Sequence, residues 1–227
     1  MASFELVLFD IDGTLVDTGG AGARSWEWAF ERFFTYPGVD IGRYSKSGMT
    51  DPVIARHVFE EVMRRAPEDG ELTLLMAGYM AVVPDFVAAS EGYTVLKGVP
   101  EVLERLTGEG VLLGITSGGL EPVAHAKLGR GQLNRFFLLG GYGSDSEDRI
   151  ELTRLAIERG ERRLGRSIDL RRVAVVGDTP LDVEAAEGVG AVSVAVASGR
   201  YTVEQLRAAG ADHVLSSLRE PFPEVPG

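Results

Sequence analysis

Hydrophobic positions along the chain fall into two patterns. Residues 4–9, 111–116, 173–176 and 191–197 form short, nearly uninterrupted apolar runs. Runs of this length without polar alternation predict strands buried on both faces, as in a parallel sheet. Residues 136–139 give a weaker fourth candidate after the first run, and residues 213–215 a short edge. Between these runs the period lengthens. Val102, Leu103 and Leu106 share one face of a predicted helix over residues 100–106, and Leu152, Leu155, Ala156 and Leu164 do so over 151–164. Thr202 followed by Gln205 is the signature of a capping box that opens a further helix. Strands alternating with helices of this length predict parallel β-α-β units: an α/β fold with a doubly wound, Rossmann-like sheet and helices on both faces.

Residues 19 to 93 interrupt the alternation. They contain helical runs at 24–34, 53–65 and 72–89, no convincing strand, and an opening Gly19-Gly20-Ala21-Gly22 that reads as a hinge. The expected organisation is a core of residues 1–18 and 93–227 with a helical insertion, residues 19–92. The tail, residues 221–227, reads as a loosely held terminus.

Composition narrows the function classes. Thirty-four acidic against 23 basic residues give a net charge of −11, and no basic cluster is long enough to follow a phosphate backbone, so nucleic acid is not an expected partner. With no cysteine there is neither a disulfide framework nor a thiolate metal site. The first five residues lack a signal-peptide pattern, and no apolar run is read as membrane-spanning, so a soluble, cytoplasmic protein without a membrane partner is expected. Oligomeric state is not encoded in any pattern found.

The candidate chemistry lies at strand ends. The first strand runs into Asp10-Ile11-Asp12-Gly13-Thr14-Leu15, two carboxylates at i and i+2 where an extended chain places them on one side. Such a pair needs a cation or a proton to sit together, which suits a metal-bound nucleophile beside a proton donor; plain turn chemistry at Asp12-Gly13 fits as well. The second run ends in Thr116-Ser117-Gly118-Gly119 before a helix start near Glu121-Pro122, an arrangement that suits a phosphate or merely satisfies the turn. The third ends in Gly177-Asp178-Thr179-Pro180-Leu181-Asp182. Here Thr179 is an N-cap, Pro180 the first helical residue and Asp182 the N3 acid, so Asp182 serves a cap or a site equally well. Asp178 lies outside the helix, where capping does not require it, and offers oxygen to a hard cation such as Mg²⁺.

Together these three strand ends resemble motifs one, two and four of the haloacid dehalogenase superfamily. The insertion after the first, with Gly19-Gly20-Ala21-Gly22 and Ser47-Gly48-Met49-Thr50-Asp51, is similar to the helical cap of its phosphoglycolate-phosphatase-like branch. The resemblance implies a Mg²⁺-dependent phosphatase acting on a small phosphorylated metabolite. Asp10 is then the nucleophile and metal ligand, and Asp12 the acid/base with a metal-binding backbone carbonyl. Asp178 and Asp182 hold the metal, and Thr116, with Ser117 beside it, binds phosphate. The second acid, Asp12, favours phosphate over halide chemistry. A phosphomutase on the same core, or a non-catalytic binding or regulatory protein on the same scaffold, are the alternatives. The family's third motif is usually a lysine, which this chain lacks at the expected place. Arg149, in Glu147-Asp148-Arg149-Ile150, is the cation expected there to bind phosphate, with Ser146 as N-cap; an ordinary surface residue is the competing reading. Arg24, Arg43, Lys46 and Arg56 are the basic residues of the insertion that could meet substrate, and Trp26, Phe30, Phe33 and Phe34 read as its core.

Overall fold

The computed structural model describes residues 4–225. The chain enters through β1 (Leu6–Phe9), turns, and forms β2 (Val16–Thr18). Four helices follow, α1 (Ala21–Phe34), α2 (Ile41–Tyr44), α3 (Asp51–Met63) and α4 (Glu71–Ala89), before β3 (Tyr93–Val95) returns antiparallel to β2. Strict alternation then resumes with α5 (Val99–Gly108), β4 (Leu112–Ser117), α6 (Glu121–Arg130) and β5 (Gly140–Tyr142). It continues through α7 (Arg149–Leu164), β6 (Val173–Gly177), α8 (Pro180–Val189), β7 (Val192–Val196), α9 (Val203–Ala208) and β8 (His213–Leu215).

Six strands make one parallel sheet in the order β5-β4-β1-β6-β7-β8. The chain winds outward from β1 in one direction and from β6 in the other, so the reversal of strand order falls between them. In such sheets the crevice beyond the carboxyl ends at the reversal is where ligands bind. β1, β4, β6 and β7 are buried along their whole length, which is why their sequences are apolar runs rather than alternations. One face of the sheet packs Val7, Phe9, Leu113, Ile115 and Val176 against α5 and α6. The other packs Leu6, Leu8, Val173 and Val175 against α7 and α8.

The four helices between β2 and β3 carry an apolar cluster of their own, with Trp26, Phe30, Phe59, Leu75 and Tyr79 buried and Leu120, the N-cap of α6, and Val123 of α6 joining it. Trp26 stacks on Tyr79 with ring centroids 3.9 Å apart. Gly19 and Gly20 take left-handed backbone conformations, whereas Ala21 and Gly22 already form the first turn of α1.

Three expectations need correction. Residues 136–139 are not a strand: the pairing segment is Gly140–Tyr142, displaced onto two glycines. A Cβ on Gly141 would run into the Leu152 carbonyl, so the close approach of α7, not local hydrophobicity, selects that segment. Secondly, α4, 19 residues, is long and apolar enough to cross a membrane, with mean hydropathy 1.7 over an 18-residue window. It packs on α1, α3 and α6 in this fold and buries Leu75, Tyr79, Val83 and Val87. Thirdly, the tail is anchored where it is described: Phe222 is buried and meets Phe4 edge-on, 6.0 Å between centroids. Residues 226–227 lie outside the described residues.

Candidate active site

Beyond the carboxyl ends of the sheet lies a cavity of about 510 Å³ between the sheet and the four-helix unit. Asp10, Asp12, Ser117, Lys127, Arg149 and Asp178 border its floor; Trp26, Ile41, Lys46, Ile54 and Tyr79 border its helical side.

Asp10 follows β1, and its N–H is held by the Val176 carbonyl of β6 at 2.8 Å. Asp178 follows β6, and Asp182 occupies the first turn of α8. Ligand oxygens of all three lie within 4.8 Å of one another, and all three residues are buried. Asp178 accepts from the Thr14 hydroxyl at 3.4 Å. Gly13, at φ 83°, lies so close that a Cβ there would come within 2.5 Å of an Asp178 oxygen. The D-G-T of the first motif is thus shaped around Asp178, not around its own turn alone.

Arg149 is the first residue of α7, and the N-cap is Asp148, which accepts the Ile150 N–H at 2.8 Å, not Ser146. Its guanidinium is buried, donates to Asp182 and to the Gly48 carbonyl at 3.2 Å, and stands 3.5 Å from Asp10 Oδ1. Its Nε is the one buried side-chain polar atom among the described residues without a partner. One guanidinium therefore bonds two of the three clustered buried acids. Burial first, then repulsion from Asp182, pushes the Asp10 carboxyl up to about 7 despite Arg149. Burial and repulsion from Asp10 and Asp182 push Asp178 up to about 8. Buried carboxylates in excess of their cations are the donor set a divalent hard cation satisfies, so the residues present fit Mg²⁺.

Asp182 is fully engaged without a metal. Its Oδ2 accepts from the Thr179 N–H at 3.0 Å and the Thr179 hydroxyl at 2.7 Å, closing the capping box, and its Oδ1 takes Arg149.

Two expectations about side-chain direction do not hold. Asp12 does not join the group of Asp10, Asp178 and Asp182, although its charge still acts on Asp10. The N–H groups of Thr14, Leu15 and Val16 all turn back to the Ile11 carbonyl, so the chain leaves the extended conformation at once and the period of two no longer applies. The Asp12 carboxylate points to Lys127, 2.5 Å from its Nζ, and stays half exposed on the cavity. Thr116 hydrogen-bonds Thr153 at 2.8 Å, and Thr153 donates to the Arg149 carbonyl at 2.7 Å. Thr116 thus braces the start of α7, while Ser117 borders the cavity and accepts the Gly119 N–H at 3.2 Å.

Lys127 was not legible as a site residue. It lies on the buried face of α6 with Val123, Ala124 and Leu128. A lysine at a core-facing helical position is the signal that could have found it. Asp51, at the start of α3, accepts the Leu120 N–H at 2.9 Å, and its own N–H donates to the Gly118 carbonyl at 2.7 Å. Burial pushes its carboxyl up to about 6 against the pull of Lys127. Burial works against the Lys127 ammonium, but Asp12, Tyr79 and Asp51 outweigh it and raise its pKa. Of the basic residues of the insertion, Lys46 borders the cavity. Arg24 donates to the Gly19 carbonyl and Ser90, Arg43 lies over Tyr44, and Arg56 forms a bidentate pair with Glu147.

A profile of the haloacid dehalogenase-like hydrolases matches residues 4–190. The chain belongs to that family. Within it, the chain is 30% identical over 219 residues to the protein named "Probable phosphatase IndB" from Dickeya dadantii (strain 3937), covering 95% of this chain and 90% of that one. Among solved structures, a predicted phosphoglycolate phosphatase from Haemophilus somnus 129pt superposes with a TM-score of 0.74 at 17% identity over 96% of both chains. CbbY from Rhodobacter sphaeroides, solved in complex with phosphate, does so with a TM-score of 0.73 at 18% identity, again over 96% of both. At such identities these two structures share the fold of this haloacid dehalogenase-like hydrolase.

Proposed function

We propose that the protein is a Mg²⁺-dependent phosphatase that hydrolyses a small phosphate monoester through an aspartyl-phosphate on Asp10. The observation that supports this best is the buried group Asp10, Asp178 and Asp182, with Arg149 as its one bonded cation among the described residues, whose Asp10 and Asp178 border a cavity large enough for a small metabolite. In this reading residues 19–92 act as a cap over a core of residues 1–18 and 93–227.

Asp10 attacks phosphorus, forming one P–O bond as the bond to the leaving alcohol breaks, and Asp12 gives that alcohol its proton. In the second half Asp12 takes a proton from water, whose oxygen displaces the Asp10 carboxylate and releases inorganic phosphate. Arg149 meets charge on the transferring group, with its unpartnered Nε as an available donor, and Ser117 meets it from the other side. Asp10, Asp178 and the Asp12 backbone carbonyl would hold Mg²⁺, with Asp182 orienting Arg149 and α8; when bound, the ion supplies charge neutralisation at the phosphoryl oxygens.

A panel of small phosphate monoesters with Mg²⁺ tests the reading. Turnover should yield inorganic phosphate, and Asp10→Asn should reduce it by roughly 10⁴-fold with the fold intact. An isomeric phosphate ester as product would identify a phosphomutase instead. Failure of Asp10 to become phosphorylated, by mass spectrometry, or to be trapped by beryllium fluoride would favour a non-catalytic protein.

A further inference from the structure

Lys127 sits where an apolar residue would fit. Its neighbours on the inner face of α6 are Val123, Ala124 and Leu128, and its side chain is 8% exposed. A buried ion pair is weak as a source of stability, because well-packed apolar residues of similar volume serve as well. Its partner is not a structural acid. Asp12 borders the cavity with its side chain 49% exposed, and would sample several rotamers if unrestrained. Lys127 takes Oδ2 alone; Oδ1 has no partner among the described residues. The helix that carries Lys127 is itself held, since the Tyr93 hydroxyl donates to the Lys127 carbonyl at 2.8 Å and Arg130 lies over the Tyr93 ring.

We propose that Lys127 is a positioning residue for Asp12: it anchors Oδ2 so that Oδ1, which carries the proton in the first half of the reaction, is presented to the oxygen of the leaving alcohol. This rests on the phosphatase reading above. Arg149 serves the phosphoryl end of the reaction and Lys127 the leaving-group end, and neither replaces the other.

The test is leaving-group dependence. An alkyl phosphate needs a proton on its departing oxygen, whereas p-nitrophenyl phosphate releases a stable phenolate without one. Lys127→Met should lower kcat/KM for the alkyl ester by about 100-fold, within the range of general acid catalysis, and for p-nitrophenyl phosphate by about fivefold or less. Lys127→Arg should restore part of the alkyl activity. In an Asp12→Asn background Lys127→Met should cost nothing further, because the two act as a unit. Equal losses on the two esters, or additive losses in the double variant, would overturn the inference and leave Lys127 as packing. Should Lys127→Met not fold by thermal melting, the same ratio is read on Lys127→Gln. A wild-type chain that turned over neither ester would overturn the phosphatase reading and this inference with it; an active wild type with equal losses overturns the inference alone.

Discussion

The loop after β1 separates two clusters of charge that use the same residue types differently. In one, Asp10, Asp178 and Asp182 lie together, and one guanidinium, Arg149, bonds Asp10 and Asp182. In the other, Asp12 pairs one to one with Lys127 of α6, and Asp51 stands nearby on a backbone N–H. The first cluster has more buried acid than cation, so its carboxyls are pushed up to about 7 and about 8. The second is closer to balance. The difference teaches that acidic residues by themselves do not mark a metal site; an acidic excess over local cations does, because only there does a divalent ion relieve repulsion.

After loss of the nucleophile itself, the largest effect should come from removing the cation bonded to the unbalanced cluster. Arg149→Ala should lower turnover by about 10²–10³-fold and weaken binding of phosphate analogues, as loss of a positioned charge at a developing anion does. Arg149→Lys should retain part of both in steady-state kinetics and calorimetry. An Arg149→Ala variant with wild-type kinetics would erase the contrast between the clusters.

The two metal-side acids should separate next. Asp178→Asn removes a repelled carboxyl, so the metal-free protein should melt higher while its Mg²⁺-induced shift disappears. Asp182→Asn disrupts the capping box and leaves Arg149 short of its closest partner, so the metal-free protein should lose roughly 3–5 kcal/mol, the cost of breaking a buried pair. Equal changes in the two melts would show that both acids have the same role.

A pH series sharpens the same point. Asp10 and Asp178 have folded-state pKa values raised above the ordinary 3.8, so the native state holds protons that the unfolded chain has released. Stability of the metal-free protein therefore falls as pH rises from about 5 to 8. Asp51, raised to about 6, adds to the lower part of that range. Carboxylates with lowered pKa values, such as Glu147 and Asp145, have finished titrating there in both states and contribute no slope. The proposed Mg²⁺ site is the ionised cluster, so the ion's stabilising shift should be larger at pH 8 than at pH 5.5 in calorimetric melts. A flat metal-free profile would mean that the cluster is balanced after all.

The smallest effect belongs to the exposed contact between the helical unit and the core. Arg56→Ala removes a bidentate pair to Glu147 whose members are each nearly half exposed, so it should change stability by about 0–1 kcal/mol. A larger loss in denaturant melts would show that this surface pair joins the two regions more strongly than its exposure suggests.

How much was legible depended on the distance over which each feature is decided. Buried parallel strands write themselves as apolar runs, because both faces are covered, and each of the four long runs matches a strand of the sheet to within a residue or two at each end. Strand-end acids are legible because a charge directly after such a run has a restricted set of places to go; Asp10 and Asp178 are of this kind. The capping box at Thr179 and Asp182 is equally local, a relation of three residues. β5 was not legible, because what selects Gly140–Tyr142 is the approach of α7 to Gly141.

The sequence by itself thus determined the α/β alternation, the helical insertion, the strand-end acids and the family to which they belong. Tertiary structure alone decided where the side chains of that site go. Arg149 reaches Asp10 across 139 residues and Lys127 reaches Asp12 across 115. Asp12 stays out of the group of Asp10, Asp178 and Asp182 once the chain turns at Ile11, and Thr116 gives its hydroxyl to Thr153 while Ser117 borders the cavity. The reason is physical: periodicity and capping are set by neighbours a few residues away, whereas a buried charge is satisfied by whichever opposite charge the packed elements bring within hydrogen-bonding distance.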